Sequence, residues 1–214
     1  MAERTRIICR LRWHVHEIDP GWDPPARSLI LCKHLAILEQ RITPTPGLVA
    51  RLALELIGSC RELTARITAL ETEIGTRVAL LAPALLSVCG CGVLTTAKII
   101  GETAGITRFR SKDAFARHNG TAPLPVWSGN RQRHRLSRSG NRQLNAALHR
   151  IAVTQARHHG DARAYLERRR SSGSSTTEAL RSLKRRLSDV VYRALVADAH
   201  SVMTPATTAL QPFA

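Results

Sequence analysis

Aromatic side chains are scarce in this sequence: Trp, Tyr and Phe together make up 4% of its 214 residues, against a hydrophobic fraction of 43%. Ala, Leu, Ile and Val must therefore supply the core, which favours helices over sheets. Lysine is also rare, at four of the 32 basic residues. Such a skew towards arginine can come from a GC-rich genome alone. Acidic residues number 16, which leaves a formal net charge of +16. None lies between Asp113 and Asp161, where Arg117, Arg131, Arg133, Arg135, Arg138, Arg142, Arg150 and Arg157 all fall. A basic stretch of this kind is either a solvated surface or a contact for a polyanion, and its length favours nucleic acid.

Metal-dependent phosphoryl transfer needs clustered carboxylates, because two cations must be held about 4 Å apart. The carboxylates here are spread thinly over amphipathic stretches, so no metal site is expected from this chain. The five cysteines, Cys9, Cys32, Cys60, Cys89 and Cys91, are odd in number and mostly far apart. No leader-like segment precedes them, so they read as small apolar fillers in a reducing cytoplasm rather than a disulfide framework or zinc site. From Val78 to Ala97 twenty residues carry no charge, but Pro83, Gly90 and Gly92 interrupt them. A buried turn between core helices explains that run better than a membrane span. The expected location is the cytoplasm, in association with the nucleoid.

The periodicity predicts an all-α fold: a coiled-coil-like helical arm over residues 1–82, a compact helical domain over 83–200 and a flexible tail over 201–214. In the arm, Cys60, Leu63, Ile67, Leu70, Ile74 and Leu81 recur at heptad-like steps, which suits either self-association or antiparallel pairing of the arm's own helices. In "SVCGCGVLTTAKIIGETAG" an apolar lead, a G-x-G turn and an Ala- and Ile-rich helix suggest a helix-hairpin-helix-like element. There Gly90 and Gly92 would let a phosphate approach the backbone, or simply permit helix packing. Residues 121–140 read as a Pro- and Gly-punctuated loop. A helix follows from Asn141 to about His158 with Ser139 or Gly140 near its start. The last helix is expected to open on a Ser175-x-x-Glu178 capping box.

Within "LPVWSGNRQRHRLSRSGNRQLN" (124–145) the chemistry on offer is nucleophilic. A serine hydroxyl in a basic segment suits attack on a phosphodiester, because guanidinium groups can pair with phosphate oxygens and stabilise the developing charge. Spacing alone leaves Ser128 more readily explained as a turn residue, and no Ser/His/Asp triad is legible.

The order of "LLSVCGCGVLTTAKIIGE", "RFRSKDAFARHNGTAPLPVWSGNRQRHRLSRSGNRQLNAALHRIA" and "AYLERRR…ALRSLKRRLSDVVYRAL" resembles the C-terminal domain of the insertion sequence 110 family of transposases, which are RNA-guided serine recombinases. The resemblance covers residues 83–197, and the arm more loosely. In that family the hairpin usually reads Pro-Gly-Ile-Gly, so Cys89 and Cys91 are departures. The resemblance implies that Ser128 is a catalytic nucleophile forming a covalent link to DNA. It aligns the family's basic Ser-Lys-Arg-Gly-Asn stretch with Ser137, Arg138, Ser139, Gly140 and Asn141. Gly90, Gly92, Arg131, Arg133, Arg135, Arg138, Asn141 and Arg142 are the candidate nucleic-acid contacts, with Arg131, Arg133 and Arg138 as phosphate clamps. Partners implied are DNA, a structured guide RNA, and further copies of the chain or of a full-length transposase. Family members carry an acidic RuvC-like domain ahead of the arm, and Mg²⁺ is implied only through it. The expectation is thus an N-terminally truncated transposase, either retaining serine chemistry or acting as a non-catalytic binder that modulates full-length copies.

Overall fold

The computed structural model describes residues 2–129, 131–135 and 139–203. Among them the chain is helical apart from one short hairpin, in keeping with the all-α expectation. It divides into two compact units, Met1–Glu73 and Ile74–Ala214, with the division falling inside one long helix.

The first unit contains α1 (Ala2–Ile18), α2 (Cys32–Ile42) and the opening of α3 (Leu48–Leu81). Asp19, Pro20, Pro24 and Pro25 end the first helix, since proline cannot supply the amide that a further turn requires. After the prolines the chain forms a 3-10 turn at Ser28–Ile30 before α2 starts at Cys32. Leu11, Val15, Leu35, Leu38, Ile42, Ala50, Ala53, Ile57 and Cys60 are buried together. The arm's own helices thus cover its seam as far as Cys60. Beyond it, Leu63, Ile67 and Ile74 are half-buried while Leu70 and Leu81 are exposed. Cys60 and Cys91 are buried, and Cys9 and Cys32 are exposed, so the filler role fits only the former pair among these four.

In the second unit α3 runs out into α4 (Pro83–Leu86), followed by α5 (Val93–Thr103) and α6 (Lys112–His118). The uncharged run Val78–Ala97 thus spans the end of α3, α4, a turn and the start of α5. Among the described residues no helix is long and apolar enough to cross a membrane. A hairpin of β1 (Leu124–Ser128) and β2 (Arg131–Arg135) then precedes α7 (Arg142–His158), α8 (Gly160–Ser171) and α9 (Thr176–Met203). Leu144, Ala147, Leu148, Ile151 and Ala152 on α7 follow the i, i+3, i+4, i+7 rule and are buried. They meet Leu183, Leu187 and Val191 of α9 in one core with Leu85, Ile99 and Phe115. The α9 helix packs against α4, α6, α7 and α8. Each fully buried leucine or phenylalanine in such a core contributes about 1.5–3 kcal/mol.

Helix ends are closed by side chains. Ser175 and Glu178 form the expected reciprocal cap: the Ser175 N–H donates to Glu178 Oε2 at 2.9 Å and the Glu178 N–H to Ser175 Oγ at 3.3 Å. The cap of α7 is Asn141, not Ser139 or Gly140; its Oδ1 accepts the Gln143 and Leu144 amides at 2.9 and 3.0 Å. The start of α4 is capped from far along the chain by buried Asp198, which accepts the amides of Ala84 and Leu85 at 2.8 and 3.1 Å. Replacing Asp198 with alanine leaves two amides without their acceptor. The Asp198→Ala variant is therefore expected to lose about 1–3 kcal/mol in urea-induced unfolding. An unchanged midpoint would show that the cap is dispensable.

Candidate nucleic-acid interface

The segment expected as a loop forms an antiparallel hairpin with register Leu124↔Arg135, Val126↔Arg133 and Ser128↔Arg131, so two residues connect the strands. Gly129 adopts φ +58, which favours glycine at the first connecting position. Arg131, Arg133 and Arg135 occupy alternate positions and therefore share one face of the ribbon, directly opposite Ser128, Val126 and Leu124. For Ser128, Arg131, Arg133 and Arg135 the description extends to the backbone alone; Arg138, like Ser137, lies outside the described residues. Trp127, on the other face, is 68% exposed. Sequence reasoning passed over it, although a lone exposed tryptophan in a basic segment can offer a stacking surface to a base.

Two-stranded hairpins are marginal by themselves, and this one is held at its base. The Asn141 amide donates to the His118 carbonyl at 2.6 Å, tying the exit of the hairpin to its entry. Gly140 lies so close to Gly120 that a Cβ there would fall 2.5 Å from the Gly120 Cα. Fully buried Asn119 donates through Nδ2 to Ser188 Oγ on α9 at 2.8 Å, and its Oδ1 accepts the Thr121 amide and hydroxyl at 3.1 and 2.7 Å. Asn145 donates to the Asn119 carbonyl at 2.8 Å and accepts from Lys184 Nζ at 2.7 Å. Asn141, besides capping α7, donates to Glu102 of α5 at 2.8 Å.

The remaining candidates separate. Gly90 has φ +85, and a Cβ there would meet Thr154 Cβ at 3.0 Å and the Ile151 carbonyl at 3.2 Å, so close packing on α7 accounts for it. Gly92 precedes α5 with open space where a side chain would be. Arg142, the first residue of α7, is exposed. His118 is held below the usual histidine range by desolvation and by Arg108, whose Nη2 lies 3.1 Å from its Nε2. Among the described residues no group of three or more His, Cys, Asp or Glu side chains could hold a metal ion.

The close approach of Gly140 to Gly120 leaves no room for a side chain. Gly140→Ala forces backbone apart at a site that cannot relax, at a cost of about 1–3 kcal/mol. It should also admit protease between residues 121 and 140, while a conservative change on the exposed face of α8, Arg163→Lys, should do neither. Thermal unfolding and limited proteolysis of both variants check it.

Residues 82–167 match the model of the transposase IS116/IS110/IS902 family. The chain is 32% identical over 187 residues to the 42 kDa protein of insertion element IS900 from Mycobacterium paratuberculosis, covering 82% of this chain and 43% of that one. It is 29% identical over 157 residues to the 43.6 kDa protein of insertion element IS110 from Streptomyces coelicolor, covering 72% and 39%. Over 111 residues it is 32% identical to the 44.8 kDa protein of insertion element IS116 from Streptomyces clavuligerus, covering 51% and 28%. The chain thus spans less than half the length of each of these relatives. Over residues 82–167 the chain is thus similar to transposases of the IS116/IS110/IS902 family, and over longer stretches to the proteins of insertion elements IS900 and IS110.

Proposed function

We propose that this chain is the DNA-joining and nucleic-acid-binding portion of an insertion-element transposase, with Ser128 as the nucleophile. The observation that carries the reading is the register of the hairpin: Ser128 stands directly opposite Arg131 at its tip, inside the segment matched to the transposase family. No acidic residue lies within 114–160 to repel a phosphate. In the step proposed, Ser128 Oγ bonds to phosphorus as a sugar oxygen leaves. The serine proton passes to solvent or a neighbouring base, and the departing oxygen takes up a proton. Arg131, Arg133 and Arg138 would stabilise the charge on the phosphate oxygens. Reversal by the hydroxyl of a different strand completes the exchange. DNA and a structured guide RNA are the proposed ligands. The arm, with Leu70 and Leu81 exposed on α3, is the proposed contact with further copies or a full-length transposase.

The test is a covalent protein–DNA adduct on a denaturing gel. Labelled element-end DNA, Mg²⁺ and the matching RNA are supplied with a full-length homologue that contributes an acidic domain. An adduct to this chain is expected with the wild-type protein and is absent for Ser128→Ala, which should still bind DNA with undiminished salt dependence. Failure of the wild type to form any adduct, with salt-sensitive binding intact in both, would leave a non-catalytic binder that modulates full-length copies.

A further inference from the structure

Lys184 sits in the middle of α9 between core residues Leu183 and Leu187 and is only 7% exposed. Its ammonium has three N–H donors, and among the described residues the acceptor recorded for it is one neutral amide, Asn145 Oδ1 at 2.7 Å. The cations nearest to it in effect are Arg181 and Arg142, both exposed. Their positions follow from helix geometry. Arg181 is three residues before Lys184 on α9, and Arg142 is three residues before Asn145 on α7, so each pair shares a helix face. The Lys184–Asn145 bond joins the two faces. Among the described residues no carboxylate is paired with Lys184, Arg142 or Arg181. By contrast, the next cation on α9, Arg185, is paired with Asp113 at 2.6 Å and with Asp189.

Burying an ammonium without a counter-charge costs several kcal/mol. Here burial, then Arg181 and Arg142, pull the Lys184 ammonium below the usual lysine range. An oxyanion would remove that cost. A tetrahedral phosphate suits the place better than a carboxylate does, because one lysine and two forked guanidinium groups can share its several oxygens. The positive end of α7 adds to the field, although Asn141 already occupies its first free amides.

We propose that Lys184, Arg142 and Arg181 form a seat for one backbone phosphate of the bound nucleic acid, placed at the foot of the hairpin that carries Ser128. Asn145 makes the connection, since it bonds both Lys184 and the Asn119 carbonyl where the hairpin begins. A strand gripped there is held in register with the hairpin by a rigid polar chain. The proposal rests on the nucleic-acid-binding half of the function above and not on serine chemistry.

Thermal unfolding of the full chain is measured in inorganic phosphate and in chloride at equal ionic strength. Duplex-oligonucleotide binding is measured over a salt series. The proteins are the wild type, Lys184→Met, the double variant Arg142→Ala/Arg181→Ala, Arg10→Ala as a charge-matched control on α1, and Ser128→Ala. Phosphate should raise the midpoint of wild type, Arg10→Ala and Ser128→Ala alike, and much less that of the other two. In chloride, Lys184→Met should be at least as stable as wild type, because it removes an uncompensated buried charge. Its log–log salt slope should be smaller by about 0.9, the value for one phosphate contact. A Lys184→Met protein that keeps the full phosphate increment overturns the seat. So does one destabilised in chloride with an unaltered salt slope, since Lys184 would then be structural. Should Lys184→Met fail to fold, the double variant, altered only at exposed positions, decides by the same increment and slope. An increment lost without a change in slope would assign the seat to free phosphate and overturn its assignment to nucleic acid. Failure of the wild type to form the covalent adduct, with the phosphate increment and slope change intact, would sink the joining activity and leave the seat standing.

Discussion

Two glycine backbones in contact, Gly120 and Gly140, decide where the basic hairpin of this protein can stand. Because Gly140 carries no side chain, the chain entering the hairpin and the chain leaving it meet at a separation that a Cβ at that position would prevent. The Asn141–His118 backbone bond closes that junction, and the side chains of Asn119 and Asn145 carry it to Ser188 and Lys184 on α9. Amide side chains suit this work. Each can donate and accept at once, so a buried chain of them satisfies several backbone groups without introducing a charge.

That arrangement separates rigidity from exposure. The core formed by α7 and α9 is apolar and continuous, whereas Leu124, Pro125 and Trp127 of the hairpin are all exposed. A ribbon presented this way gains little from hydrophobic burial and depends on its foot for position. Its arginines alternate along β2, so that cationic positions recur on one face at about 6–7 Å.

Carboxylates are distributed to opposite effect. Several of those in the second unit serve structural tasks: Asp198 caps α4, Glu102 holds Asn141, Glu178 caps α9, and Asp113 and Asp189 flank Arg185. The chain matches less than half of each relative.

Most of the helices and the Ser175–Glu178 box were legible in the sequence, because helical periodicity and a capping box are set by neighbours within one or two turns. The basic stretch was equally plain, since charge can be read without coordinates. The hairpin was missed as a hairpin. Its one local signal, Gly-Asn between two short runs, lacks the usual apolar alternation because none of its described faces packs on the core. Asp198 as the cap of α4 and Gly90 as a packing residue were decided by contacts across long stretches of chain. Lys184 reads in sequence as one more cation on an amphipathic helix. Only the packing of α9 against α7 buries it beside Asn145, because the pairing of two helix faces is a property of the assembled core and of no single segment.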